Sequence, residues 1–298
     1  MAVAADLAYV ASPAAVGLRS GRTGTIGIVA PFVSRWYFAR VIQGAEDVLR
    51  AAGFALLLHS FGDADGRAAF FDRLPLHRKV DGILLVDVAL APSEQAQLQA
   101  FGVPVTIVGA GALGVGTVGI DDAEGVRKAV QHLVRLGHRE IGMVCGHPAD
   151  GLGFDVPAHR RESFHRAVAE AGVQTSPEWV VTEQWGIEGG AQATEHLLSA
   201  RQLPTALLAE SDEIAFGALR TLRLAGLDVP GRISLIGFDD HEMASVVNLT
   251  TIAQPVLEQG QIAASLLLDA VADQADPFAV VKLPTRLVVR GSTAPPPA

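Results

Sequence analysis

The sequence predicts an α/β protein of two similar Rossmann-like lobes, each built on a parallel sheet covered by helices. Short apolar runs alternate with helical patterns, which is the rhythm of parallel strands joined by crossover helices. The rhythm restarts after Ile120, so both halves begin with an Ile-Gly-hydrophobic strand. Of the 298 residues, 49% are hydrophobic and only 6% are aromatic, which suits strands buried on both faces.

In the first half, four apolar runs predict strands, and a helical pattern follows each of the first three. The runs are TIGIVAPF (25–32), FALLLHS (54–60), VDGILLV (80–86) and VPVTIVG (103–109), with helices over 38–52, 65–77 and 93–101. Gly53 ends the first helix, because glycine readily adopts the left-handed conformation at that position. The glycine-rich residues 115–119 are predicted to continue a loop.

The second half repeats the pattern. Strands are predicted at 140–146, 179–181, 205–211 and 233–240, with helices over 123–136, 158–171, 187–200 and 212–225, then a helix over 256–272 and strands near 280–283 and 286–290. We expect a first lobe of 23–120 plus 254–281 and a second lobe of 121–253 plus 282–293, followed by a disordered tail at 294–298. Ligands of such folds bind at the carboxyl ends of the strands.

Composition restricts the function classes. The net charge of −9 argues against a broad DNA-gripping surface, which would need clustered Lys and Arg. Cys145 is the single cysteine, so no internal disulfide is possible. The opening residues lack the pattern of a secretory signal, and no apolar run is long enough to span a bilayer. We therefore expect a cytoplasmic protein.

One motif suggests an enzyme. Gly109-Ala-Gly-Ala-Leu-Gly114 follows a strand and spells the dinucleotide fingerprint GxGxxG. However, no helical pattern begins there, and the acidic residue expected about 20 positions later is missing. An NAD-dependent enzyme is therefore a disfavoured alternative. Since the sequence also lacks the P-loop, GxSxG and HExxH motifs, we predict no catalytic residue, no cofactor and no metal site.

Six motifs, in order along the chain, resemble those of the LacI/GalR family of transcription regulators. They are Lys79-Val-Asp-Gly-Ile-Leu84, Leu136-Gly-His-Arg-Glu-Ile141, Ser211-Asp-Glu-Ile-Ala-Phe-Gly217, Val229-Pro-Gly-Arg-Ile-Ser-Leu-Ile-Gly-Phe-Asp-Asp240, Leu249-Thr-Thr-Ile-Ala-Gln254 and Leu287-Val-Val-Arg-Gly-Ser-Thr293. The resemblance implies a type I periplasmic-binding-protein-like fold with an effector cleft between the lobes. It also implies a homodimer that binds operator DNA and has no membrane partner.

Residues 1–22 resemble the end of that family's DNA-binding head and its hinge helix. Tyr9, Ala15, Leu18 and the sequence Gly21-Arg-Thr23 match the hinge pattern, while Val16 replaces the usual arginine. The resemblance implies a helix-turn-helix before Met1. It also implies that the hinge, at Ala15 and Leu18, contacts the DNA, with Leu18 wedged into the minor groove.

Two charged residues match effector-binding positions of the family. A guanidinium at Arg160 can donate a bidentate pair of hydrogen bonds to vicinal hydroxyls or to a carboxylate, although a surface arginine is the alternative. Asp239 follows a buried strand and can accept hydrogen bonds from sugar hydroxyls, although an aspartate capping the next helix is the alternative. We favour binding for both residues, and helix capping for Asp240 and Asp212.

Four further residues are expected to contact the effector. Trp185 can stack on a sugar ring, with a core tryptophan as the equal alternative, and Tyr37 follows the first strand within an aromatic cluster. Gln254 matches a polar cleft position, and Ser211 stands where asparagine is usual. Together these residues imply a ligand-responsive repressor that senses a small molecule, most simply a saccharide or sugar phosphate. A periplasmic sugar-binding protein is the second alternative, but it would need a signal peptide and has no use for a hinge.

Overall fold

A computed structural model describes residues 22–109, 114–147, 152–274 and 278–297. The hinge residues Ala15 and Leu18 lie outside the described residues. The chain divides into two compact units. The first unit holds the described residues up to Thr117 together with Gly260–Val280, and the second holds Val118–Gln259 and the residues from Val281 onward.

Strands and helices alternate along most of the described chain, except that β5 follows β4 and β12 follows β11 directly. The strands are β1 (Thr25–Ala30), β2 (Ala55–Ser60), β3 (Gly82–Val86), β4 (Val105–Val108), β5 (Gly116–Ile120), β6 (Ile141–Gly146), β7 (Val180–Glu183), β8 (Ala206–Ala209), β9 (Ser234–Asp239), β10 (Thr250–Ala253), β11 (Val280–Leu283) and β12 (Arg286–Val288). The helices are α1 (Trp36–Ala51), α2 (Ala64–Arg73), α3 (Pro92–Ala100), α4 (Asp122–Leu136), α5 (Val156–Glu170), α6 (Ile187–Leu197), α7 (Asp212–Leu224), α8 (Glu242–Val246) and α9 (Val256–Val271). None of these helices is long and apolar enough to cross a bilayer.

The two sheets have the same strand order. The first runs β2-β1-β3-β4-β5-β11 and the second runs β7-β6-β8-β9-β10-β12. In the second sheet, β7, β6, β8, β9 and β10 are parallel, and β12 pairs antiparallel with β10 at the edge. The strand order therefore reverses between β6 and β8. In open α/β sheets, a reversal of this kind opens a crevice at the carboxyl ends of the strands.

The second sheet is buried because its strands are aliphatic on both faces. Every residue of β6, β8 and β9 is buried. One face packs against a cluster that includes Phe164 and Leu133, and the other packs against a cluster that includes Ile214 and Leu219. Each such side chain contributes roughly 1.5–3 kcal/mol on burial. Apolar packing thus fixes the carboxyl edge of the sheet in place.

The structure corrects several predicted elements. Residues 116–120 form strand β5, although glycine at 116 and 119 suggested a loop; burial of the strand outweighs its weak propensity. Helix α2 ends at Arg73 because Leu74 adopts a left-handed conformation with φ 44°. The tail is ordered at Ala294, whose backbone N–H donates to Ser234 Oγ at 3.0 Å and whose carbonyl accepts from Ser234 and contacts His138.

Helices α6 and α7 pack at a distance that only glycine allows. A Cβ at Gly217 would lie 1.9 Å from the carbonyl oxygen of Ile187, and backbone cannot move away cheaply. We therefore expect Gly217→Ala to lower the free energy of unfolding by about 2–4 kcal/mol, measured by urea denaturation. Arg220→Ala on the same helix, where the side chain is 61% exposed, should change it by less than about 0.5 kcal/mol. Equal stability of the two variants would contradict this packing.

Candidate functional site

Polar side chains gather at the carboxyl edge of the second sheet, where the strand order reverses. Gly146 ends β6, Glu210 directly follows β8, and Asp239 ends β9. Arg160 of helix α5 reaches the same edge and bonds to the Glu210 carbonyl. All of these residues belong to the second unit.

Arg160 is the central cation of this edge. Its Nε donates to Asp122 Oδ1 at 2.7 Å, and its Nη1 donates to the carbonyl oxygen of Glu210 at 2.7 Å. The guanidinium lies 3.7 Å from the ring centroid of Phe238, and Nη1 is 3.8 Å from Asp239 Oδ1. Only 4% of the residue is exposed, so it is not a surface arginine. Burial opposes its charge, yet Asp122 and Asp239 raise its pKa.

Asp239 faces the guanidinium from the end of β9, in a left-handed conformation with φ 128°. Its Oδ1 accepts a hydrogen bond from Gln254 Nε2 at 2.6 Å, and Gln254 Oε1 accepts from Gln259 Nε2 at 3.0 Å. Burial raises the pKa of Asp239 to about 8, against the opposing charge of Arg160. The edge thus holds a buried acid oriented by a chain of two amides.

Glu210 is a second buried acid at the edge, and only 1% of it is exposed. Its Oε2 accepts from the Gly146 N–H at 2.7 Å. Its Oε1 is buried and has no hydrogen-bond partner among the described residues. Burial raises the pKa of Glu210 to about 8, opposed by the Gly146 N–H and by Arg160 and Arg161 and reinforced by Asp122.

This acid makes stability depend on pH. Folding raises the Glu210 pKa above its unfolded value, so the folded chain binds the proton more tightly. The resulting stabilisation is complete below the unfolded pKa, near 4.3, and is lost as the pH rises toward about 8.

Between about pH 5 and pH 7.5, the free energy of unfolding of the wild type should therefore fall as the pH rises. We expect Glu210→Gln to make this decrease less steep by about 1.4 kcal/mol per pH unit. Urea denaturation across this range measures the slope. The exposed Glu170→Gln should leave the wild-type slope, and an unchanged slope in Glu210→Gln would contradict a buried neutral acid.

An aromatic side chain borders the same edge. The ring of Trp185 packs against Gly146, where an added Cβ would lie 2.3 Å from Trp185 Cε3. The ring also meets Phe154 edge-on, with centroids 5.1 Å apart. Trp185 is only partly buried. Gly146 therefore contacts both the Glu210 carboxyl and the Trp185 ring.

These features have counterparts in known proteins. Residues 130–293 match the family of periplasmic binding protein-like domains. The transcriptional repressor PurR of Pectobacterium carotovorum subsp. carotovorum is 32% identical over 300 residues, which cover 98% of this chain and 86% of that protein. A LacI family transcriptional regulator from Enterococcus faecium, solved with bound ribose, is 31% identical with a TM-score of 0.79, over 91% of this chain and 99% of that one. The chain belongs to the LacI/GalR family.

A second solved structure extends the comparison to a disaccharide complex. The transcriptional regulator CelR bound to cellobiose is 26% identical to this LacI/GalR member, with a TM-score of 0.79, over 97% of this chain and 88% of that one. The two-lobed α/β fold with parallel sheets predicted from the sequence is confirmed. The relatives are transcriptional regulators rather than enzymes.

The six predicted effector residues fall into three groups in this family member. Arg160, Asp239 and Gln254 lie together, since Asp239 forms an ion pair with Arg160 and accepts a hydrogen bond from Gln254. Trp185 borders Gly146 at the same edge, and Ser211 follows Glu210. Tyr37 belongs to the first unit, where it is partly buried and its ring meets Phe38 edge-on with centroids 5.4 Å apart. Their contacts with an effector stay predictions.

Both predicted helix caps were wrong. Ser211 caps α7, since its hydroxyl accepts from the Ile214 N–H at 3.2 Å. Asp212 instead accepts hydrogen bonds from Thr251 Oγ1 at 2.7 Å and the His241 N–H at 2.8 Å, and burial raises its pKa to about 7. These bonds tie β10 and the start of α8 to α7.

Asp240 also has a different role. It bonds to Arg290 Nη2 at 2.6 Å, while His241 Nδ1 accepts from the Met243 N–H and caps α8. The guanidinium from the end of the chain provides a partner that local sequence could not reveal. Glu210 and Asp122 were not among the predicted site residues; an acidic residue directly after the apolar run TALLA was the available signal for Glu210.

Proposed function

We propose that this LacI/GalR member is a ligand-responsive transcription repressor whose effector, a sugar or sugar derivative, binds at the carboxyl edge of the second sheet. One observation carries the proposal. Arg160 Nη2 and Asp239 Oδ2 make no hydrogen bond to any residue in the described ranges, although both side chains are more than nine-tenths buried. A donor and an acceptor held this close, at a strand-order reversal, suit neighbouring hydroxyls of one ligand.

The aromatic side chain that borders the edge, Trp185, favours a cyclic polyol as the effector. Sugar rings have apolar C–H faces that pack on aromatic rings, and Trp185 is only partly buried. A ribose-bound and a cellobiose-bound regulator are both similar to this chain over most of its length. The effector class therefore agrees with the chemistry of the edge, where Gln254 orients Asp239 and Ser211 directly follows Glu210. Tyr37 is proposed as a further effector contact.

Effector binding would change the affinity for operator DNA, because the two binding equilibria are linked. A ligand that binds one conformation of the regulator more tightly shifts the population toward it, and the affinity for operator DNA changes by the same coupling free energy. The proposed partner is operator DNA, contacted through a hinge containing Ala15 and Leu18 by a homodimer in the cytoplasm. The proposal gives the chain no catalytic role, since its similar proteins are repressors.

A screen of mono- and disaccharides tests the proposal directly. We expect at least one sugar to raise the melting temperature and to change tryptophan fluorescence saturably, because a ring stacked on Trp185 alters the surroundings of its indole. Trp179→Phe should retain the signal, since Trp179 is buried and donates to the Gln202 carbonyl away from this edge. Failure of every sugar to bind would contradict the proposed effector class.

A further inference from the structure

The Glu210 carboxyl lies between β6 and β8 with one of its two oxygens unused. Oε2 accepts from the Gly146 N–H, whereas Oε1 is buried without a hydrogen-bond partner in the described chain. A buried acceptor without a donor is costly in free energy, and native proteins contain few of them. A donor that is absent from the described residues would therefore satisfy this oxygen.

Charge at the edge restricts what that donor can be. The edge holds the carboxyl groups of Asp122, Glu210 and Asp239, and the Arg160 guanidinium lies within ion-pair distance of the first and the third. The Arg160 side chain donates to the Asp122 carboxylate and to the Glu210 backbone carbonyl, so the Glu210 carboxyl receives no charged donor from it. Arg160 and Arg161 act on the Glu210 carboxyl only as nearby charges, so no cation among the described residues bonds to it.

The lack of a bonded cation discriminates between classes of sugar derivative. A sugar phosphate would bring a second anion next to buried carboxyls, and like charges at close range repel strongly. A neutral sugar would provide only a hydroxyl donor and would leave Glu210 a buried neutral acid. An ammonium group provides the missing donor together with a positive charge that lets Glu210 release its proton and ionise, and such charge-assisted hydrogen bonds are the strong ones.

We propose that Glu210 selects effectors that carry a protonated amine, so that the ligand of this edge is an amino sugar or another aminated polyol. The inference rests on the proposed function, because it assigns a chemical class to the same site. Trp185 supports it by position. Gly146 contacts both the Trp185 ring and the Glu210 carboxyl, so one ligand can stack its ring on the indole and direct its amine to Oε1.

The test compares ligands that differ only by the exchange of a hydroxyl for an amine. Glucose with glucosamine, galactose with galactosamine, and mannose with mannosamine are titrated by tryptophan fluorescence and by calorimetry. In the pair that fits the site, we expect the amine to bind at least about tenfold more tightly than the hydroxyl sugar. N-acetylation, which removes the charge, should abolish the gain.

Two variants assign the effect to Glu210. Glu210→Gln keeps the shape and one acceptor but cannot ionise beside an ammonium group, and we expect the preference for the amine to fall to less than about threefold. Glu170→Gln removes one exposed charge from the same unit and should keep the full preference. A thermal melt checks that Glu210→Gln is folded, and Glu210→Met provides a second neutral side chain of similar length.

The titrations distinguish a failure of the role assigned to Glu210 from a failure of the proposed effector class. Tighter binding by the neutral sugars, or an amine preference that survives in Glu210→Gln, would overturn the role of Glu210 and leave the sugar site intact. If none of the sugars and none of their amines binds, the proposed effector class fails, and this inference fails with it.

Discussion

Replacing Arg160 by alanine should lower the free energy of unfolding by roughly 3–5 kcal/mol, which is the usual cost of removing one partner from a buried ion pair. The guanidinium provides hydrogen bonds to Asp122 and to the Glu210 carbonyl, and it lies over the Phe238 ring. Without it, buried acceptors lose their donor and the carboxyl of Asp239 loses its nearest cation. Urea denaturation measures the change.

Arg166 offers a matched control. It lies on the same helix with the same charge, its side chain is 58% exposed, and its ion pair with Glu162 is on the surface. Arg166→Ala should change the free energy of unfolding by less than about 0.5 kcal/mol. If the two variants were equally stable, the network around Arg160 would not hold the edge together.

Removing the Asp239 carboxyl should weaken saccharide binding about tenfold to a hundredfold. Its Oδ2 is assigned to the ligand, and removing one partner of a buried hydrogen bond costs about 1–3 kcal/mol. The matched control is Asp155→Ala, since Asp155 is exposed at the start of α5 and caps nothing with its side chain. Fluorescence titration of Asp239→Ala and Asp155→Ala with one sugar measures the difference.

A double variant separates a shared ligand from two independent effects. Arg160→Lys keeps the positive charge and loses the planar pair of donors. If Arg160 and Asp239 hold the same ligand, the losses of affinity in Arg160→Lys and Asp239→Ala should be less than additive when combined. Full additivity would indicate that the two residues act at separate places.

The sequence predicted which residues gather at the edge better than it predicted what they do there. Family motifs located Arg160, Asp239 and Gln254, and strand periodicity placed Asp239 at a carboxyl end. Periodicity cannot reveal that Arg160 turns inward to Asp122, because that contact joins helices α4 and α5 across 38 positions of the chain. Contacts of this kind depend on tertiary packing.

The incorrect predictions also arise from tertiary contacts that the local sequence does not show. Asp212 and Asp240 stand at helix starts, where local rules favour capping, yet partners distant in sequence take both carboxylates: Thr251 for the first and Arg290 for the second. Strand β5 was missed because its glycines weaken local propensity, whereas the sheet buries it. Glu210 was missed because the predicted strand 205–211 included it as an ordinary strand residue, and the sequence does not reveal that its carboxyl is buried at the end of the strand.

The most direct test of the proposed effector site is a fluorescence titration of wild-type and Asp239→Ala protein with the sugar that most stabilises the wild type. We expect saturable binding to the wild type and an affinity lower by about tenfold to a hundredfold in the variant, with both proteins folded at the temperature of measurement. Equal affinity in the two proteins would contradict an effector site at the carboxyl edge of the second sheet.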